Sequence, residues 1–184
     1  MVDYFAILQK YFPPNEQAYK LYVPHVVLVT QLALRIGRRL NLTSEQLQFI
    51  EEASMLHDIG ICKVNAPGIG CFGDAPYIQH GILGRKILDK EGLPQHALVC
   101  ERHTGVGITK EEIVREELEL PHEDFVPVSI EEKIICYADV WFSKNPEKLW
   151  KQHSLEDIHN WFHRFPDADK KIKIFDDWHA EFGE

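Results

Sequence analysis

The chain is poor in cysteine: 184 residues hold four, Cys62, Cys71, Cys100 and Cys136. They show no C-x-x-C spacing and are too sparse for a disulfide scaffold, so reduced thiols and a cytoplasmic setting are expected. No apolar run approaches the roughly 18 residues that a membrane-spanning helix needs, and no basic-then-apolar stretch opens the sequence as in a signal peptide. Neither a membrane protein nor a membrane partner is therefore expected. Positive charge is also short, with 20 Lys and Arg against 29 Asp and Glu and a formal net charge of -9. Such a field repels nucleic acid polymers and anionic lipid surfaces. A G-x-S-x-G string and a recognisable Cys/His pair are missing, which removes the usual marks of a covalent nucleophile. Internal repeats, low-complexity tracts and paired period-2 strands are missing too, and with them most β and solenoid architectures.

What is present is ordinary in bulk: 45% hydrophobic and 27% charged residues suit a globular chain that buries its own core as one domain, residues 1–184. The unusual count is ten histidines. The pattern is helical almost throughout, predicting an all-α, single-domain helical bundle. Residues 3–12 read as a first helix stopped by Pro13-Pro14, followed by a short one over 16–22. Pro24 suits the first turn of a longer helix in which His25, Val29, Leu32 and Ile36 share a face. Thr43 and Gln46 form a capping-box pattern for the next helix, which ends at His57-Asp58 with Gly60 just beyond.

After the ordered loop NAPGIGCFGDAP, Pro76 opens a helix with His80, Gly84, Ile87 and Leu88 on one side, and Gly84 would let a neighbour come close. Pro94 starts another, aligning His96, Cys100 and His103 before Gly105 and Gly107 end it. Thr109 and Glu112 cap a polar helix, LPHEDFVPVS reads as an exposed excursion, and Ser129 with Glu132 begins the helix that carries Asp139 inward. Two packing helices with solvated outer faces, within 154–182, complete the chain.

His25, His57, Asp58, His80, His103 and Asp139 thus lie on or at the ends of helices whose same face is apolar. One buried His is usually an ordinary core residue. Several imidazoles and carboxylates gathered in one core make chemical sense around divalent cations, for which they are natural ligands. The string His57-Asp58-Ile59-Gly60 sharpens this, because HDIG is the signature of the HD-domain metal-dependent phosphohydrolases. Over residues 24–142 the chain resembles that superfamily in the order H…HD…H…H…D: His25, the HDIG string, His80-Gly81, His103-Thr104-Gly105, and EKIICYAD ending in Asp139. It differs in carrying Ile61 after the HDIG glycine, with the first basic residue at Lys63. It also lacks the GYP segment and paired histidines of the HD-GYP subgroup.

The resemblance implies two divalent metals drawn from Fe, Mn, Co, Ni or Zn. His25, His57, Asp58 and Asp139 would hold one, and Asp58, His80 and His103 the other, with Asp58 bridging. The reaction implied is hydrolysis of a phosphate ester of a small phosphorylated metabolite or nucleotide by a metal-activated water. Asp58 is then central to catalysis, and Lys63, Arg85 and Arg102, each close in sequence to a ligand, are the candidate phosphate-binding cations. Two rivals of other classes are a diiron oxygenase on the same fold and a non-catalytic nucleotide sensor. His96, His122, His153, His159, His163 and His179 fit no metal pattern and read as exposed or loop positions.

Overall fold

A computed structural model describes residues 1–183. Its helices are α1 (Tyr4–Tyr11), α2 (Gln17–Arg39), α3 (Ser44–Leu56), α4 (His80–Lys90), α5 (Pro94–Arg102), α6 (Lys110–Arg115), α7 (Ile130–Val140), α8 (Leu155–Phe162) and α9 (Ala168–Phe182). The chain is all-α, apart from a short antiparallel ribbon, β1 (Asn65–Ala66) and β2 (Cys71–Phe72), inside the loop after HDIG.

Local sequence sets most boundaries. The Thr43 hydroxyl accepts from the Gln46 amide while the Gln46 side chain accepts from the Thr43 amide, which satisfies two orphan donors at the start of α3. Thr109 and Glu112 close the same box on α6, and Ser154 and Asp157 on α8. The helix expected to start at Pro24 instead runs unbroken from Gln17, with Pro24 inside it. Proline there removes one intrahelical bond, but Tyr22, His25 and Val26 are fully buried around it. Packing holds the helix where propensity would stop it. The 120–129 segment is likewise less exposed than its prolines suggest: Phe125 is buried and exchanges backbone bonds with Ile108.

Two apolar cores share α2. Its first half packs with α1 and the end of α3 through Leu8, Phe12, Tyr22, Val26, Leu56 and Ile59. Its second half packs with α7, α8 and α9 through Val29, Ile36, Ile134, Phe162, Phe175 and Phe182. His25 lies on α2 between Tyr22 and Val29, where one core gives way to the other.

The close approach of α4 to HDIG depends on glycine. A Cβ on Gly60 would lie 2.0 Å from the His80 carbonyl oxygen and 2.4 Å from the Gly84 amide nitrogen. Gly84 in turn faces Cys100 of α5, where an added Cβ would meet the side chain at 3.1 Å. The two glycines therefore bring the 3₁₀ turn Ile59–Lys63, the start of α4 and α5 together, and with them the histidines they carry.

Candidate metal centre

Each donor is delivered by a helix or its end. His25 projects from the middle of α2, and His57 caps the C-terminus of α3 with Asp58 immediately after it. His80 opens α4, His103 caps the C-terminus of α5, and Asp139 lies in the last turn of α7. His25, His57, Asp58, His80 and His103 are buried, and Asp139 is nearly so.

The structure brings all six together. His25 Nε2 is 3.3 Å from Asp58 Oδ2 and 3.0 Å from Asp139 Oδ1, and His57 Nε2 is 3.3 Å from each of those oxygens. On the other side of the carboxylate, Asp58 Oδ1 is 3.6 Å from His80 Nε2 and 3.4 Å from His103 Nε2. Asp58 thus presents one oxygen to His25, His57 and Asp139 and the other to His80 and His103. The two donor sets, each with its atoms within 4.8 Å of one another, share it.

The backbone fixes the ring orientations. His57 Nδ1 donates to the Ser54 carbonyl at 2.7 Å, His80 Nδ1 to Tyr77 at 2.8 Å, and His103 Nδ1 to Cys100 at 2.7 Å. Such bonds leave Nε2 as the lone-pair donor aimed inward. His80 and His103 then face each other Nε2 to Nε2 at 3.1 Å, a spacing that a shared proton or a common metal ion would bridge. His57 Nε2 and Asp58 Oδ1 are buried with no hydrogen-bond partner among the described residues. Metal–ligand bonds of about 2.0–2.2 Å place neighbouring donors roughly 3.0–3.5 Å apart. The observed separations match, so these residues could hold divalent metal.

The electrostatics agree with that use. Burial opposes charge on Asp58 and Asp139, yet Lys144 and the histidines overcome it and hold both carboxyls well below the usual carboxylate range. Burial lowers the His80 imidazole to about 4, helped by His103, which keeps it neutral and ligating. His57 differs: burial would lower it, but Asp58 and Asp139 outweigh that and raise the imidazole to about 10, so it must give up a proton before it can ligate.

Lys63, Arg85 and Arg102 do not join this cluster. Lys63 is exposed beside a separate cleft lined by Glu16, Cys62 and Asp74. Arg85 pairs with Glu101 and Asp89, and Arg102 pairs with Glu132 at 3.1 Å. The cation that sequence reasoning missed is Lys144. Its ammonium donates to Asp58 Oδ2 and lies 3.2 Å from His25 Nε2. It stands on the irregular stretch after α7, where no periodicity marks it. His96 is also a correction: it is buried on α5, 3.2 Å from Glu52, as a structural pair rather than an exposed side chain.

A cavity of about 1080 Å³ opens over the cluster, with His80, His103, Asp139 and Lys144 in its lining. Among the described residues no helix is long and apolar enough to cross a membrane.

A family model described as HD domain matches residues 22–141. An uncharacterized protein of Methanocaldococcus jannaschii is 33% identical over 120 residues, 64% of this chain and 63% of that one. The tRNA (cytidine(56)-2'-O)-methyltransferase of Picrophilus torridus is 32% identical over 167 residues, 83% of this chain and 44% of its own. The Thermoplasma volcanium protein of the same name is 33% identical over 122 residues, 66% of this chain and 31% of its own. This chain therefore spans less than two thirds of the length of these relatives. Among solved structures, the HD domain of the L. monocytogenes phosphodiesterase PgpH superimposes with a TM-score of 0.54 at 18% identity, covering 96% of this chain and 95% of that one, a likeness of fold. The matched family segment runs through every helix that delivers a donor, from His25 to Asp139, and the chain belongs to the HD-domain family.

Proposed function

We propose that the protein is a metal-dependent phosphohydrolase that cleaves a phosphate ester of a small metabolite or nucleotide. The observation that carries this reading is the pair of buried donor sets joined through Asp58. A pair of divalent cations from the Fe, Mn, Co, Ni and Zn group supplies a nucleophile from water near neutral pH and neutralises charge on a phosphoryl group.

The chain's own residues do the rest. His57, His80 and His103 are held by backbone carbonyls with their Nε2 atoms turned toward the centre. Asp58 ties the two sets in one fixed spacing. Lys144, beside Asp58 and lining the cavity, replaces Lys63, Arg85 and Arg102 as the cation that meets phosphoryl oxygens. PgpH, whose HD domain shares this fold, is a phosphodiesterase, a reaction of the proposed class. The methyltransferase names belong to proteins more than half of whose length has no counterpart here. A cytoplasmic setting is part of the proposal, supported by four unpaired thiols.

The test is a phosphate-release screen of metal-loaded protein against nucleotides, dinucleotides and sugar phosphates, run without oxygen so that oxygenase chemistry contributes nothing. Release from at least one class, abolished by His57→Ala and Asp58→Ala, is expected. A metal-loaded protein inert across the panel would overturn the reading.

A further inference from the structure

The floor of the cavity comes from the family segment, but its outer wall does not. Asp157, Ile158, Asn160, Trp161 and Arg164, from α8 and the residues just after it, line the same cavity as His80 and His103. All lie beyond residue 141, where the family match ends. A volume of about 1080 Å³ is at the upper end of small-molecule sites and far exceeds a phosphate group, so the wall has room to contact the rest of the substrate.

Trp161 is a fixed platform. Its ring packs edge-on against Phe165 at 5.0 Å and tilted against Phe162 at 4.8 Å. It also lies against Gly105, where a Cβ would approach Cη2 to 3.3 Å, two residues after His103. The ring is only half-buried and faces the cavity. Charge on the wall is arranged with it. The Asp157 carboxylate accepts from the Ser154 amide and hydroxyl in the α8 cap, so it is already engaged. Arg164 has no ion pair among the described residues, and in a chain of net charge -9 an uncommitted arginine on a cavity wall is a place for an anion.

We propose that this wall reads the leaving group: the substrate carries a flat aromatic ring that lies on Trp161 and a second anionic group that meets Arg164. The phosphate ester at the floor rests on the phosphohydrolase reading; the wall residues do not. Trp161 and Arg164 are specificity residues, remote from the reacting bond.

The experiment is isothermal titration of the full chain with adenosine 5′-monophosphate, adenosine 5′-diphosphate and inorganic phosphate. Both nucleotides are expected to bind more tightly than phosphate, the diphosphate more tightly than the monophosphate. Trp161→Leu, which keeps apolar bulk, weakens both nucleotides about tenfold and leaves phosphate unchanged. Trp161→Phe restores most of that loss. Arg164→Gln, at an exposed position, removes the advantage of the diphosphate. The proposal is overturned if wild type binds the monophosphate no better than phosphate, if Trp161→Leu leaves nucleotide affinity intact, or if Arg164→Gln leaves the diphosphate preference intact. Tight nucleotide binding with no phosphate release from any ester would sink the phosphohydrolase reading and leave the wall standing. Release from sugar phosphates without nucleotide preference would do the reverse.

Discussion

Replacing Gly60 with alanine puts a carbon 2.0 Å from the His80 carbonyl oxygen, 2.4 Å from the Gly84 nitrogen and 2.9 Å from the Gly84 Cα. All three neighbours are backbone, so no side-chain rotation relieves the clash, and the 3₁₀ turn must part from α4 by more than about 1 Å, an overpacking of the expensive kind. The expected cost is about 3 kcal/mol or more, which for a chain of this length lowers Tm by about 6–12 °C. The same separation moves His80 away from Asp58 Oδ1, now 3.6 Å distant, so the Asp58, His80 and His103 set loses metal before the other set does. Gly68→Ala is the internal control, because a Cβ there meets nothing within 4 Å. Differential scanning fluorimetry of both variants, with metal content measured in parallel, decides it. A Gly60→Ala protein that melts with wild type and holds its full metal would refute the reasoning.

Other consequences follow from single contacts. Tyr22 donates to the Met55 carbonyl at 2.9 Å inside the core, and that carbonyl lies in the last turn of α3, where helix partners run out. Tyr22→Phe should therefore cost about 1–3 kcal/mol in urea denaturation, and an unchanged midpoint would contradict it. For His57, raised to about 10 by Asp58 and Asp139 against burial, the sign is clear. In metal-free protein its charge stabilises below the ordinary imidazole range, and that contribution is lost as pH rises through about 10. Metal must displace this proton, so affinity should rise with pH and titrations at pH 8 in buffers of different ionisation enthalpy should show proton release; affinity flat between pH 6 and 8 would refute this.

Acid sensitivity has a second source in the His96–Glu52 pair. Burial lowers His96, and despite burial Glu52 is lowered by the Val2 amide, Gln48 and His96. Both lowered groups stabilise the fold above their ordinary ranges. The His96 contribution falls as pH drops below 6.5, and that of Glu52 falls further down. His96→Phe should flatten the loss of stability between pH 7 and pH 5, and an unaltered slope would count against the pair.

The parts of the molecule legible in sequence are those set by local rules. Capping boxes at Thr43/Gln46 and Thr109/Glu112 fix helix starts through hydrogen bonds three residues apart, and the structure shows them as read. That these six side chains meet was legible because helical phase placed each on an apolar face, and burying an imidazole or carboxylate there needs a reason. The cations were not. Arg85 is five residues beyond His80, about 140° around the helix at 3.6 residues per turn, and it points to Glu101 instead. Lys144 reaches Asp58 from an irregular connection, which carries no phase to read. Pro24 misled because tertiary packing outweighed one lost bond. The place of α8 beside the cavity was hidden for a similar reason: its amphipathic pattern shows which face is buried, but not that the helix meets the loop that follows His103.

Elemental analysis of Asp58→Asn beside wild type and His80→Ala tests the central claim most directly. Because Asp58 serves both donor sets, its variant should lose all bound divalent metal, whereas His80→Ala, removing a donor from one set, should keep about half of the wild-type content. An Asp58→Asn protein that folds and retains the wild-type metal content would contradict the account.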